Sequence, residues 1–407
     1  MSVSAPDRIG RFDGRALNVD ACLGITALIA LTAIPVAGAP VALVYLASGV
    51  ALAAFRPALT AVELLEARLL LILPAFCLFS AIWSQFPTET LRSSIQLMAT
   101  IVIAVLISQR VRPLTALTAI VAGLLPLVLA SVLFGAYRSD TGALVGLFGS
   151  KNEMAGMSAI LALIGVGLAV SATIRWPVRL LGAAGFLLGV TAILLAQSVG
   201  ALIYLPFGLG AYLAVLIAAR LPVSARLVAV LFGGLVSCLM AVAIAAHFAL
   251  ASAAFLDLTG KDLTLTGRIE LWQVALNLIA ERPLLGTGFQ AFWVPDHAPA
   301  EALWTIFGID SRSGFNFHNA YLSSAVEIGV IGTMVQVWLI GLALVRSGRL
   351  ACRTGAGGHA LIFAMAAMLA LVTVFEAPVF YQFNLQSVIV FLIIGYAAKG
   401  ISVPAHR

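Results

Sequence analysis

Two side chains in this sequence have the type and setting to do chemistry. Arg268 lies in the run Thr266-Gly267-Arg268-Ile269-Glu270-Leu271-Trp272, and His318 is followed directly by Asn319. A guanidinium offers several donors in one plane and keeps its charge, which suits a diphosphate. An imidazole with an ordinary pKa near 6.5 can take a proton from a hydroxyl at neutral pH. Between the two, Pro283 to Phe289 carry Gly286 and Gly288, a spacing that either brings backbone N–H groups close to a ligand or simply makes a turn. Glu327 follows His318 by nine residues, and a carboxylate inside an apolar helix is costly unless partnered. It can orient His318 or a bound hydroxyl, or it can pair with an arginine for purely structural reasons. Arg268 likewise has the plainer option of pairing with Glu270 or Asp262, and His318 that of a solvated interfacial residue.

These residues must be positioned by membrane helices. Of 407 residues, 62% are hydrophobic and 10% charged, with a mean hydropathy of +1.09, far above what a soluble core needs. Apolar runs of about 17 to 25 residues predict twelve spans, near 20–36, 40–55, 68–84, 93–109, 114–135, 154–173, 178–196, 200–218, 226–250, 320–346, 359–377 and 381–399. With both termini inside, 16 of the 23 basic residues fall on inward segments, the asymmetry expected of positive-inside insertion. The net charge of +6 is thus a topological signal and calls for no nucleic-acid partner. Residues 251–318 then form one long outward, periplasmic loop between an N-terminal bundle, 1–250, and three C-terminal helices in 319–407.

Within the loop, Thr266 can cap a helix, Ile269, Trp272, Leu276 and Ile279 share an apolar stripe, and Arg282-Pro283 marks the end. The stripe implies a helix lying on the membrane surface or against the bundle, with Arg268 in its first turn. Cys22, Cys77, Cys238 and Cys352 show neither a disulfide framework nor a metal-ligand spacing, so no metal or other cofactor is expected.

At Thr266-Gly267-Arg268 with Leu271-Trp272, at Pro283 through Phe289, and at His318-Asn319 followed by Gly329-Val330-Ile331-Gly332, the chain resembles the O-antigen ligase and polysaccharide polymerase superfamily, in particular exopolysaccharide polymerases of the succinoglycan type. Trp83-Ser84 with Pro87 and Leu91-Arg92, and Gly149-Ser150-Lys151-Asn152, match more weakly. The resemblance implies an all-α integral membrane protein of GT-C-like glycosyltransferase architecture. Its activity would be metal-independent, inverting transfer from an undecaprenyl-diphosphate-linked oligosaccharide on the periplasmic face of the bacterial inner membrane. Arg268 would hold the donor diphosphate and His318 would face the acceptor hydroxyl, with Asn319 beside it. A polymerase passes the growing chain to another lipid-linked repeat unit, and the local pattern favours this; a ligase passes it to lipid A core or another glycan acceptor. Membrane lipid, chain-length regulators and export proteins are the expected partners. Many members carry Ser-Arg-Gly where this chain has Ser198-Val199-Gly200, so a second diphosphate-binding arginine is missing; Arg138, Lys151 or Arg312 are candidates to replace it. A transporter of polyprenyl-linked glycan or small solutes is the alternative of another class. It would need charge near the bilayer midplane, for which the chain has few candidates, with Glu376 and His247 near helix ends.

Overall fold

The computed structural model describes residues 14–139, 141–222, 225, 226, 228, 267–377 and 379–399. Apart from a two-stranded antiparallel hairpin, β1 (Ala136–Tyr137) and β2 (Leu144–Gly146), the regular structure of the described residues is helical. Among the described residues, eight helices are long and apolar enough to cross a membrane: α1 (Gly14–Ala37), α5 (Pro87–Arg110), α6 (Pro113–Phe134), α7 (Lys151–Val170), α8 (Trp176–Ala196), α9 (Val199–Ala218), α12 (Ala320–Thr354) and α13 (Gly357–Phe375). This is a multi-pass membrane protein.

The four other expected spans fare differently, each for a physical reason. That near 40–55 is α2 (Ala39–Phe55), which passes the same test only when joined to α3 (Pro57–Glu66) across a bend of 102°. Arg56 at the bend precedes Pro57, and the proline ring bars it from helical backbone angles; its φ and ψ are −142° and 73°. The expected span 68–84 is broken into a 3-10 turn at Arg68–Leu71, a short α4 (Ile72–Phe79) and a second 3-10 turn at Ser80–Ile82. The expected span 381–399 begins later, as α14 (Leu385–Lys399), because Phe380 and Phe383 sit at positive φ in the preceding loop. The span 226–250, the cap Thr266 and Asp262 lie outside the described residues.

The chain divides into two compact units. One comprises Met1–Ala67 and Val102–Gln197. Here α7 and α8 meet through glycines: a Cβ on Gly182 would lie 2.6 Å from the Gly165 carbonyl oxygen, and one on Gly189 2.5 Å from that of Ser158. Small residues let membrane helices approach this closely. At one end of this unit, Arg110, with a side chain 2% exposed, binds Glu63 at 2.8 Å and the Thr60 hydroxyl at 2.6 Å. Asp20, paired with Arg56 at 3.5 Å, completes a buried network that balances two arginines against two carboxylates. Removing one member would leave an uncompensated buried charge.

The other unit, Arg68–Ile101 with Ser198–Arg407, carries most candidate site residues. Its longest helix, α12, has 35 residues and would be about 52 Å long at 1.5 Å per residue, well beyond a hydrocarbon core of about 30 Å. It is broken at Gly329, whose φ of 63° and ψ of −176° are not helical. Two further helices precede it, α10 (Arg268–Glu281) and α11 (Ala298–Ile306). They enclose a core of Leu271, Ala275, Phe292, Leu303, Trp304 and Phe317. The face α10 buries is Leu271 with Ala275, a register away from the apolar stripe read in the sequence, and Ile269 and Leu276 of that stripe are exposed. At the far end of α12, Arg226 ties the last turns together by donating to the carbonyls of Cys352 and Ala219.

Candidate active site

The ends of three helices bring Arg268, His318 and Glu376 into contact. Arg268 is the first residue of α10, His318 immediately precedes the cap of α12, and Glu376 closes α13. Glu376 uses both carboxylate oxygens: Oε1 accepts from Arg268 Nη2 at 2.7 Å, and Oε2 lies 2.8 Å from His318 Nδ1. Arg268 Nη1 also donates to the Phe375 carbonyl at 2.6 Å, which fixes the plane of the guanidinium and leaves its other N–H bonds for a ligand. An ionised carboxylate only accepts, so Nδ1 carries the hydrogen, and in the tautomer this selects the lone pair is on Nε2.

The backbone is shaped to present the imidazole. His318 has φ 48°, in the left-handed region that costs a non-glycine residue about 1–2 kcal/mol. That conformation is held by the Asn316 side chain, which accepts the His318 N–H at 2.7 Å. Asn319 caps α12 through Oδ1, accepting from the amides of Tyr321 and Leu322, both at 3.0 Å. Its Nδ2 donates to the Val374 carbonyl at 3.0 Å, so the residue is a structural clasp between α12 and the end of α13. Side chains of Arg268, His318 and Glu376 are 21%, 25% and 20% exposed, partly desolvated yet open to a ligand. Burial would raise the Glu376 carboxyl, but the hydrogen bond from His318 and the charges of His318 and Arg268 outweigh it, and its pKa falls below the ordinary value.

Gly286 and Gly288 serve the fold. The amide protons through this turn go to protein acceptors: Gly286 to Arg282 O, Thr287 to Val326 O, Gly288 to Glu327 O and Phe289 to Ser80 Oγ. The amides of Gly286 and Gly288 are thus engaged within the turn, the plainer of the two roles their spacing allowed. Gly286 has φ 65° and lies so close to the break in α12 that a Cβ would be 2.5 Å from the Glu327 carbonyl. Gly329 packs against Leu284 from the other side, and Trp83 Nε1 donates to Leu285 O at 3.0 Å. The motif glycines and the Trp83-Ser84 pair therefore form one backbone junction.

Glu327 belongs to that junction. It is 4% exposed, and Oε2 accepts the Gln290 backbone N–H at 3.0 Å. It is held by Gln290, and the carboxylate on His318 is that of Glu376. Arg312 is exposed on the loop, with φ 48° and its Nε 3.2 Å from Glu301 Oε2. Arg138 and Lys151 fall in the other unit. Arg138 closes the β1–β2 hairpin through its backbone, and Lys151 opens α7 behind the Ser150 cap. Val199 begins α9 in the same unit as Arg268.

Glu376 was missed as a site residue. In sequence it reads as a charge near a helix end, 58 positions from His318. The signal available was that an arginine at a membrane boundary needs a carboxylate, and Glu376 stands at the end of an apolar run.

Residues 184–337 match the O-Antigen ligase family, Wzy_C, a stretch that contains Arg268, His318 and the glycine junction but ends before Glu376. The chain is also 34% identical over 281 residues to the exopolysaccharide production protein ExoQ of Rhizobium meliloti strain 1021. The alignment takes in 65% of this chain and 62% of ExoQ, so the chain spans about three fifths of that relative's length. The chain is thus a multi-pass membrane protein whose residues 184–337 match the O-antigen ligase family and which is similar over 65% of its length to an exopolysaccharide production protein.

Proposed function

We propose that this protein is an inverting membrane glycosyltransferase that polymerises exopolysaccharide repeat units on the periplasmic face, with an undecaprenyl-diphosphate-linked oligosaccharide as donor. The observation that carries the reading is the Arg268–Glu376–His318 chain at the ends of α10, α12 and α13. His318 Nε2 takes the proton of the acceptor hydroxyl as its oxygen attacks the anomeric carbon of the donor. The bond from that carbon to the lipid diphosphate breaks on the opposite face, and the bonding pair leaves with the diphosphate. The remaining N–H bonds of Arg268 receive the negative charge that develops there, in an orientation already fixed by Glu376 and Phe375. Glu376 holds the Nδ1–H and stabilises the imidazolium that forms. The proton then passes to water, restoring the neutral ring.

Glu327 acts at one remove, as a positioning residue, by holding Gln290 and the junction on which α12 turns. Arg312, Arg138 and Lys151 stay as candidates for further diphosphate contacts. Chain-length regulators and export proteins are the expected partners.

The family match carries the word ligase, while the name of ExoQ speaks of exopolysaccharide production, the setting in which a polymerase would act. Purified protein in nanodiscs given only the lipid-linked donor separates them. A ladder of integral repeat units marks a polymerase. Product formed solely after addition of a non-polyprenyl acceptor, as a single transferred block, marks a ligase.

A further inference from the structure

Beside the charged chain stands an aromatic pair that the transfer chemistry does not use. The Phe315 ring meets the His318 imidazole edge-on, with centroids 6.0 Å apart and planes at 81°. Phe307 lies against Phe315 at 5.4 Å. Phe307 in turn reaches the start of α10: Gly267, with φ 84°, has no Cβ, and one placed there would sit 3.2 Å from the Phe307 ring. The pair therefore runs from the residue before Arg268 to His318.

Packing alone does not require both rings here. The loop core is closed by Phe292 and Phe317, each 0% exposed, and by Trp304 at 2%. Phe307 and Phe315 are only partly buried and pack on the margin of that core, next to the exposed stretch Ser311–Gly314. Trp293 backs Phe315 edge-on at 5.2 Å and fixes its orientation. An aromatic face held rigid beside a proton acceptor suits the apolar C–H face of a sugar ring, which can lie in contact at about 3.5–4 Å. The 6.0 Å spacing then leaves His318 within reach of that sugar's hydroxyls.

We infer that Phe315, supported by Phe307, is the specificity-determining platform on which the acceptor saccharide lies while its hydroxyl reaches His318. This rests on the proposed transfer reaction.

The test uses the full chain in nanodiscs and, as probe, free oligosaccharides from partial hydrolysis of the cell's own exopolysaccharide. Binding is followed by ligand-observed NMR, and the same oligosaccharides serve as acceptors in turnover with the lipid-linked donor. Phe315→Leu, which keeps an apolar side chain, is expected to raise the oligosaccharide Kd and acceptor KM about tenfold. Donor KM is unchanged and kcat nearly so, and Phe315→Trp behaves as wild type. Phe307→Leu gives the same split, smaller in size, and serves if Phe315→Leu does not fold. Unchanged oligosaccharide affinity in these variants overturns the platform while leaving the transfer reaction standing, as does a parallel fall in kcat and donor affinity. Binding that depends on Phe315 in a protein that makes no product from the donor overturns the transfer reaction and leaves the platform. Absence of any oligosaccharide binding to the wild type overturns the platform outright.

Discussion

Replacing Glu376 with glutamine isolates the part of the site that acts only during reaction. The amide keeps the size of the carboxylate and an oxygen that can accept from one partner, but it loses the charge facing both Arg268, at 2.7 Å, and His318, at 2.8 Å. Hydrogen bonds to charged groups contribute about 1.5–3 kcal/mol each. The bond to His318 strengthens as the ring becomes an imidazolium, so its loss falls on the transition state. A loss of about 2–3 kcal/mol corresponds to a drop of roughly 30- to 150-fold in kcat. Donor KM moves the other way or stays level, because Arg268 without its carboxylate partner carries a less neutralised charge toward the diphosphate. Initial rates of glycan transfer in nanodiscs over a range of donor concentrations measure both. A Glu376→Gln protein with kcat within about threefold of wild type, or one whose defect is entirely a raised donor KM, would refute the role assigned to this carboxylate.

Other consequences follow from the same contacts. Gly286→Ala places a Cβ within 2.5 Å of the Glu327 carbonyl at a φ of 65°, so it should destabilise the protein by more than the roughly 1–2 kcal/mol of the backbone strain alone; thermal unfolding in detergent would show this as a lower Tm. Glu327→Gln keeps an oxygen for the Gln290 N–H and should retain most transfer activity, whereas Glu327→Leu strands that buried amide at a cost of about 1–3 kcal/mol, read from the same unfolding curves. The lowered pKa of Glu376 means that its ionised form stabilises the fold at every pH above the ordinary glutamate value near 4.3, and that this contribution disappears as pH falls through the lower, folded-state pKa. Wild-type Tm should therefore drop faster than that of Glu376→Gln below about pH 4, and parallel curves would contradict the pairing.

The membrane helices were legible because lipid demands long apolar runs whatever the tertiary context. What hydropathy does not register is where such a run bends. At Arg56-Pro57 the chain bends by 102° between α2 and α3, and the stretch from Arg68 to Ile82 carries three short helical pieces where one span was read. Arg268 and His318 stood out because each is an ionisable group in the polar stretch that interrupts the apolar runs. Glu376 did not, since its partnership depends on how the end of α13 meets the starts of α10 and α12. The glycines of Pro283–Phe289 signalled close approach correctly, but a glycine does not say what comes close; here it is the backbone of α12 at Gly329. Likewise, a stripe counted along α10 could not show which of its apolar residues the aromatic loop core would claim.

The most direct test of the central claim is transfer by purified wild-type, Arg268→Ala and His318→Ala proteins in nanodiscs supplied with an undecaprenyl-diphosphate oligosaccharide, read by gel and mass spectrometry. The account expects a product ladder from the wild type, and none from either variant although both are folded and inserted. Near-normal turnover by both variants would contradict it.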